Sequence, residues 1–285
     1  MKNINTTLIM SIFLITFFIG TAQAEKPVRM ISAWGEGGIS YGMLDNLYKY
    51  DSETFQENID VLGNAATVGK YLKTTSEPTI SLTEAFILHD DNHPSQVINE
   101  ELFISVAGLS YWNFCGKQDD NNGLNDILDG NVKIGYFHGD DKRIPLEEIL
   151  TGMGSNAATV PYETAPAYRA GLESGEIDYL FTTMTQGYEC VLTTNPNDSE
   201  IDHRVSDYYD GTFSEASYGV ALVGANVDKE KIKEIFIRSA DPKNSDMFTT
   251  GFARSYDPEF MKVDTSEQLK FVRNYIDAIN SIRNQ

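Results

Sequence analysis

Positive charge is what this chain has little of. Its 285 residues hold 22 Lys and Arg against 42 Asp and Glu, a formal net charge of −20. Such a surface repels phosphate backbones and anionic headgroups, so no nucleic-acid partner is expected. Histidine is scarce as well: His89, His93, His138 and His203 are the four. There is no Gly-x-Ser-x-Gly elbow, Walker loop or dinucleotide fingerprint, which removes the enzyme classes that depend on them. Only a hydrolase built on two carboxylates, which share no local motif, escapes that test. No catalytic residue, cofactor or enzymatic activity is expected. His89-Asp90-Asp91-Asn92-His93-Pro94 has ligand types suited to a cation, yet it lacks EF-hand or His-Glu-x-x-His spacing. It reads as a solvated loop, and no metal site is expected. Asp119 to Gly123 reads as a polar turn.

Long apolar runs are also missing, with one exception. Lys2 is the only charge before Glu25, Leu8 to Ile19 is almost unbroken in apolarity, and Ala22-Gln23-Ala24 is a small-x-small site. The run is shorter than the roughly 20 residues a spanning helix needs. Residues 1–24 therefore read as a signal peptide cut after Ala24, which implies the periplasm. No Cys follows Ala24, so no lipid anchor is expected. Cysteine is limited to Cys115 and Cys190. In an oxidising compartment the two are able to pair, but sequence does not supply the geometry. About 260 residues remain after the cut, enough for one large or two ordinary domains.

What is present is an alternation of short apolar runs and amphipathic stretches. Strands are expected at Val28 to Ala33, Ile59 to Leu62, Val132 to Phe137, Ala158 to Val160 and Tyr218 to Val223, extended segments at Leu102 to Leu109 and Tyr111 to Cys115, and apolar pieces around a polar connection at Thr79 to Leu82 and Ala85 to Leu88. Helices are expected from near Gly42, with Leu44, Leu47 and Tyr48 on one face, from Val68, and over Leu124 to Leu128. Others are expected over Ile144 to Met153, Lys229 to Ala240 and Ser266 to Arg283. Thr265-Ser266-Glu267 caps the last of these. Gly63 to Thr67 reads as a turn. The alternation predicts an α/β protein with largely parallel sheets.

The most specific stretch is Val160-Pro161-Tyr162-Glu163-Thr164-Ala165-Pro166-Ala167, continuing to Leu172-Glu173-Ser174-Gly175-Glu176-Ile177-Asp178. It reads as a strand end, a Pro turn, a helix, a Gly stop and a second strand. It resembles the central motif of the substrate-binding receptors of tripartite tricarboxylate transporters, the Bug or TctC-like receptors. Ile31 to Ser40 resembles that family's first strand and Gly-rich loop. Gly63 to Gly69 resembles its small-residue turn, Val132 to Gly139 the strand leading to its second ligand loop, and Ile235 to Pro242 and Thr265 to Val272 its last elements. The chain departs from the family at three places. The first loop has no leading Pro and carries Tyr41 where Asp is common. The second loop reads Phe137-His138-Gly139-Asp140-Asp141-Lys142, and Glu163-Thr164 replaces Lys-Gly after Tyr162.

The resemblance implies a two-lobed, type 2 periplasmic binding protein with a ligand cleft between the lobes. Residues 25–106 plus 222–285 would form one lobe and 107–221 the other. It implies a monomeric receptor that delivers a small organic ligand, a carboxylate by family habit, to permease subunits. A sensory role, with a membrane kinase in place of the permease, is the alternative. The implied ligand-binding residues are Trp34, Gly37, Gly38, Ile39, Ser40, Ala65, Ala66, Thr67, Phe137, His138, Gly139, Pro161, Tyr162 and Thr182. The family holds its carboxylate with backbone N–H groups rather than an Arg clamp, and the suspected loops contain no Arg but Arg143. Glu36, Asp140 and Glu163 oppose a plain anion if they face the cleft. In that case an amino-bearing or zwitterionic ligand is expected instead.

Overall fold

The computed structural model describes residues 26–33, 35, 39–63, 65–84, 100–117, 123–137, 139–183, 185, 187–241, 243–244 and 256–283. The signal segment, Trp34, Gly37, Gly38, Ala85 to Leu88, His138 and the His89–His93 run lie outside them.

Eleven strands and seven α-helices are found among the described residues. The first unit is β1 (Val28–Ser32), α1 (Ile39–Tyr50), β2 (Phe55–Val61), α2 (Ala65–Thr74) and β3 (Thr79–Glu84). Next come β4 (Phe103–Tyr111) and β5 (Asn113–Gly116), with Trp112 alone between them. A second unit repeats the first: α3 (Leu124–Asp129), β6 (Lys133–Phe137), α4 (Asp140–Gly152), β7 (Ala158–Tyr162), α5 (Ala165–Ser174) and β8 (Tyr179–Thr182). The chain closes with β9 (Glu189–Thr193), β10 (Ser217–Ala225), α6 (Lys229–Ser239), β11 (Tyr256–Asp257) and α7 (Thr265–Arg283).

The strands form two sheets, ordered β11-β4-β10-β3-β1-β2 and β7-β6-β8-β5-β9. In each, the first strand of a βαβαβ unit is central, with its two parallel partners on either side. An antiparallel strand then covers the third, β10 beside β3 and β5 beside β8. The sheets are thus mixed rather than largely parallel. Strand polarity here is set by chain that returns from the other unit, which local pattern does not encode.

Each helix forms because its apolar stripe finds a sheet. Met43, Leu44 and Leu47 of α1 are buried, and α1 packs on β1, β2 and β3. Helix α5 has Thr164 as its N-cap, accepting from Ala167 N at 3.3 Å, and Gly175 at φ 76° as its C-cap. Three helices begin earlier than the sequence pattern suggested, α1 starting at Ile39 rather than near Gly42. Helix α2 starts at Ala65, so the small residues 65–67 form its first turn. Helix α4 starts at Asp140, five residues before Pro145. A proline there offers no N–H to the carbonyl of Asp141. The hydroxyl of Tyr275, from α7, donates to that carbonyl at 3.0 Å instead.

The two sheets are joined at a polar and aromatic knot. Trp112 N donates to Thr194 Oγ1 at 2.9 Å, Thr194 N donates to Trp112 O at 2.8 Å, and Thr194 Oγ1 donates to Ala216 O at 2.6 Å. The Trp112 ring stacks on Phe181 at 4.6 Å. Cys115 and Cys190 stand opposite each other on β5 and β9 and form a disulfide. At the far side, α7 is anchored by Gln268, which is fully buried. Its Oε1 accepts from Val106 N at 2.9 Å and Ser105 Oγ at 3.1 Å, and its Nε2 donates to Phe260 O at 2.7 Å. A register shift that skips Ala107 in β4 marks a bulge beside this bond.

Candidate functional site

The strand polarity points both units at the crossing. Asn113, the first residue after Trp112, is paired with Thr182 at the end of β8 and with Thr193 at the end of β9. Phe137 and Tyr162 are mutual partners at the ends of β6 and β7. In the other sheet Tyr111 is paired with Ser217, and Ser32 at the end of β1 is in register with Leu82, two residues before the end of β3. The carboxyl ends of β1, β2 and β3, and of β6, β7 and β8, therefore all lie on the side of the crossing. In open α/β sheets that is where ligands bind, at the point where strand order reverses.

The expected site residues can now be placed. Ile39 and Ser40 open α1, and Ser40 is buried. Ala65, Ala66 and Thr67 open α2, with Thr67 exposed. Phe137 ends β6, and Gly139 is the N-cap of α4 at φ 144°, where L side chains are strained. Pro161 and Tyr162 close β7, and buried Thr182 closes β8. Pro161 is exposed on the edge strand, where a missing N–H blocks further strand addition. The Tyr162 ring is engaged in packing, edge-on to Tyr168 at 6.0 Å, and a Cβ added to Gly171 would overlap its hydroxyl.

Three features of this edge carried no sequence signal. Thr83, next to last in β3, is fully buried and its hydroxyl has no hydrogen-bond partner among the described residues. A Thr in a strand reads simply as a β-former. Asn113 fixes the crossing, donating from Nδ2 to Tyr111 O at 3.0 Å and Thr182 O at 3.3 Å. Lys142 and Asp141 form a buried ion pair in the first turn of α4. Sequence reading passed over Lys142 because it placed that stretch in a loop. Arg143, the only Arg of the suspected loops, lies along α4 on Glu147 at 2.7 Å.

A cavity of about 690 Å³ lies elsewhere, along the outer edge of β9 and walled by Glu189, Glu200, Asp202 and His203 among others. Among the described residues no Lys or Arg lines it, a poor fit for an anion. Among the described residues no group of three or more His, Cys, Asp and Glu is placed to hold a metal. No helix among them is long and apolar enough to cross a membrane.

No family model and no curated protein matches the sequence. Solved structures do. A protein described as a periplasmic transporter superposes with a TM-score of 0.69 at 13% identity, covering 93% of this chain and 98% of that one. The periplasmic binding protein BugD gives 0.66 at 15% identity, covering 90% and 96%. This chain has the fold of the type 2 periplasmic binding proteins. MatC from Rhodopseudomonas palustris, with bound malate, has the same fold, with a TM-score of 0.61 at 10% identity and coverage of 89% and 98%. At such identities it is the fold that is shared.

Proposed function

We propose that this protein is a periplasmic solute receptor that closes over a small organic ligand bearing a carboxylate. It presents the closed form to permease subunits of a tripartite tricarboxylate-type transporter and leaves the ligand chemically unchanged. The observation that carries this reading is the convergence of strand ends and helix starts at the crossing. Helices α1, α2, α4 and α5 all begin there, each of ten residues or more. Free N–H groups and the positive end of each dipole suit an anion without an Arg clamp. That MatC has malate bound supports a carboxylate on this fold.

The two sheets are the two lobes in this reading, and closure is a hinge motion about the crossing. We place the division at the change of sheet, at Trp112 and within residues 194–216. The division expected from sequence was at 106/107 and 221/222. Residues 1–24 act as the export signal, and the receptor works as a monomer.

The test is thermal unfolding of the mature chain against a panel of mono- and dicarboxylates that includes malate. A ligand held only by the folded state adds about 2.7 kcal/mol at a hundred times its Kd. Small-angle scattering should show compaction with any acid that raises Tm, and NMR of the mixture should show that acid intact after incubation. Absence of a shift with every carboxylate rejects the receptor reading, and turnover of the acid rejects its non-enzymatic part.

A further inference from the structure

We propose that the cavity beside β9 is a second binding site, separate from the strand ends at the crossing, and that it takes an extended organic cation of the di- or polyamine class.

The cavity has two fixed walls. One is the outer edge of β9, an edge strand of its sheet. Glu189, at the start of β9, is paired with Gly116, the end of β5 away from Trp112, so this wall begins at a distance from the crossing. The other wall runs from Glu200 to His203. Asp198 Oδ1 accepts from Glu200 N at 2.8 Å and from Ile201 N at 3.1 Å, and Thr193 N donates to His203 O at 3.2 Å. The Arg204 guanidinium donates to the carbonyls of Asp198 and Ile201. That nearby cation thus holds the wall together and is not part of the lining.

Charge sets the sign of the occupant, and spacing sets its shape. Glu189, Glu200 and Asp202 line the cavity, and among the described residues no Lys or Arg does. A single metal ion is a poor match, because no group of three or more His, Cys, Asp and Glu among the described residues is placed to hold one. Carboxylates set apart around about 690 Å³, the size of a small-molecule site, suit cationic groups that are set apart as well. Leu124, Val191 and Ile201 give apolar wall to the methylene chain between them, and Tyr188 supplies a ring on which an ammonium can rest.

Thr185 separates a binding site from a merely acidic surface. It lines the cavity, is only 4% exposed, and its hydroxyl has no hydrogen-bond partner among the described residues. Buried hydroxyls nearly always have one, and valine would fill the same space with no polar atom to desolvate. An ammonium N–H donated to Thr185 Oγ1 completes it. Tyr188 N donates to Thr185 O at 3.2 Å, so one turn carries both the hydroxyl and the ring.

The experiment is calorimetric titration of the full mature chain at low salt with butylamine, putrescine, cadaverine and spermidine, and with Mg²⁺ as a point charge. At least one di- or polyamine should bind about ten-fold more tightly than butylamine or Mg²⁺, since its second ammonium engages as a tethered partner. Glu189→Gln and Asp202→Asn should each weaken that binding about three- to ten-fold. Thr185→Val should weaken it by a similar factor without lowering the Tm of the amine-free protein, and Thr185→Ser, which keeps the hydroxyl, should keep the affinity. Amine binding that Glu189→Gln and Asp202→Asn leave unchanged places the amine elsewhere and overturns the inference. Equal binding of butylamine, Mg²⁺ and the diamines is charge screening alone and overturns it too, as does capture of a lysine-rich peptide with no response to free diamine. Silence from every amine overturns it and leaves the receptor reading standing, because the carboxylate panel tests a different site.

Discussion

Replacing Tyr275 by phenylalanine removes one hydroxyl, and the structure says what that hydroxyl does. Pro145 sits inside α4 and has no N–H for the carbonyl four residues before it, which is Asp141. Tyr275 donates to that carbonyl at 3.0 Å. Its ring packs edge-on to Phe213 at 6.0 Å, a contact phenylalanine keeps. The substitution thus removes this hydrogen bond to a part-buried acceptor. A typical bond contributes about 0.5–1.5 kcal/mol, and leaving the partner unsatisfied raises the loss to about 1–3 kcal/mol. We expect about 1–2 kcal/mol, read as a lower urea midpoint at unchanged slope. The decisive measurement is a double-mutant cycle with Pro145→Ala, which restores an N–H within reach of Asp141. In that background Tyr275→Phe should cost no more than about half as much, a coupling of about 0.5–1.5 kcal/mol. Equal costs in both backgrounds would refute the idea that Tyr275 stands in for the missing amide.

Gln268→Leu removes the acceptor of Val106 N and the donor to Phe260 O, so urea unfolding should show a loss of about 2–5 kcal/mol. A change under about 0.5 kcal/mol would mean that water or the bulge itself satisfies those groups. Reducing the Cys115–Cys190 bond, whose partners are 75 residues apart, should lower stability by up to about 4.5 kcal/mol on the chain-entropy model, measured with and without reductant. Burial pushes the Tyr168 phenol far above its ordinary value near 10, so the folded state keeps a proton the unfolded state releases. Its stability contribution is intact below about pH 10 and falls as pH rises further. Tyr168→Phe should flatten that alkaline fall in urea midpoint, while losing the 2.7 Å bond to Phe181 O. Gly171→Ala should cost about 1–3 kcal/mol through overlap with the Tyr162 hydroxyl, and Tyr162→Phe should relieve part of it. Full cost in the double variant would show that the Tyr162 ring does not lie over Gly171.

Where a segment's fate depended on chemistry a few residues away, sequence was enough. The β7–α5–β8 stretch was legible because Thr164 caps the helix, Pro166 starts it and Gly175 adopts the left-handed turn that ends it. Helix α7 was legible from its apolar period, and starts at Thr265, one residue before the expected point. The position of Phe137 at a strand end follows from the same local signals, whereas Pro161 and Tyr162, expected in a turn, extend β7.

Tertiary structure decided whatever needed a partner far along the chain. In α4 the carbonyl that Pro145 cannot serve is met by a hydroxyl 134 residues away. The mixed sheets depend on β10 coming back beside β3. Cys115 meets Cys190 only because β5 and β9 are neighbours in register. Thr83 and the Lys142–Asp141 pair follow the same rule. A threonine in a strand and a lysine after two aspartates are ordinary in sequence, and only the packing around them makes one an unpartnered hydroxyl and the other a buried charge. Local propensity acts over one or two turns, whereas burial is fixed by all the chain that covers a residue.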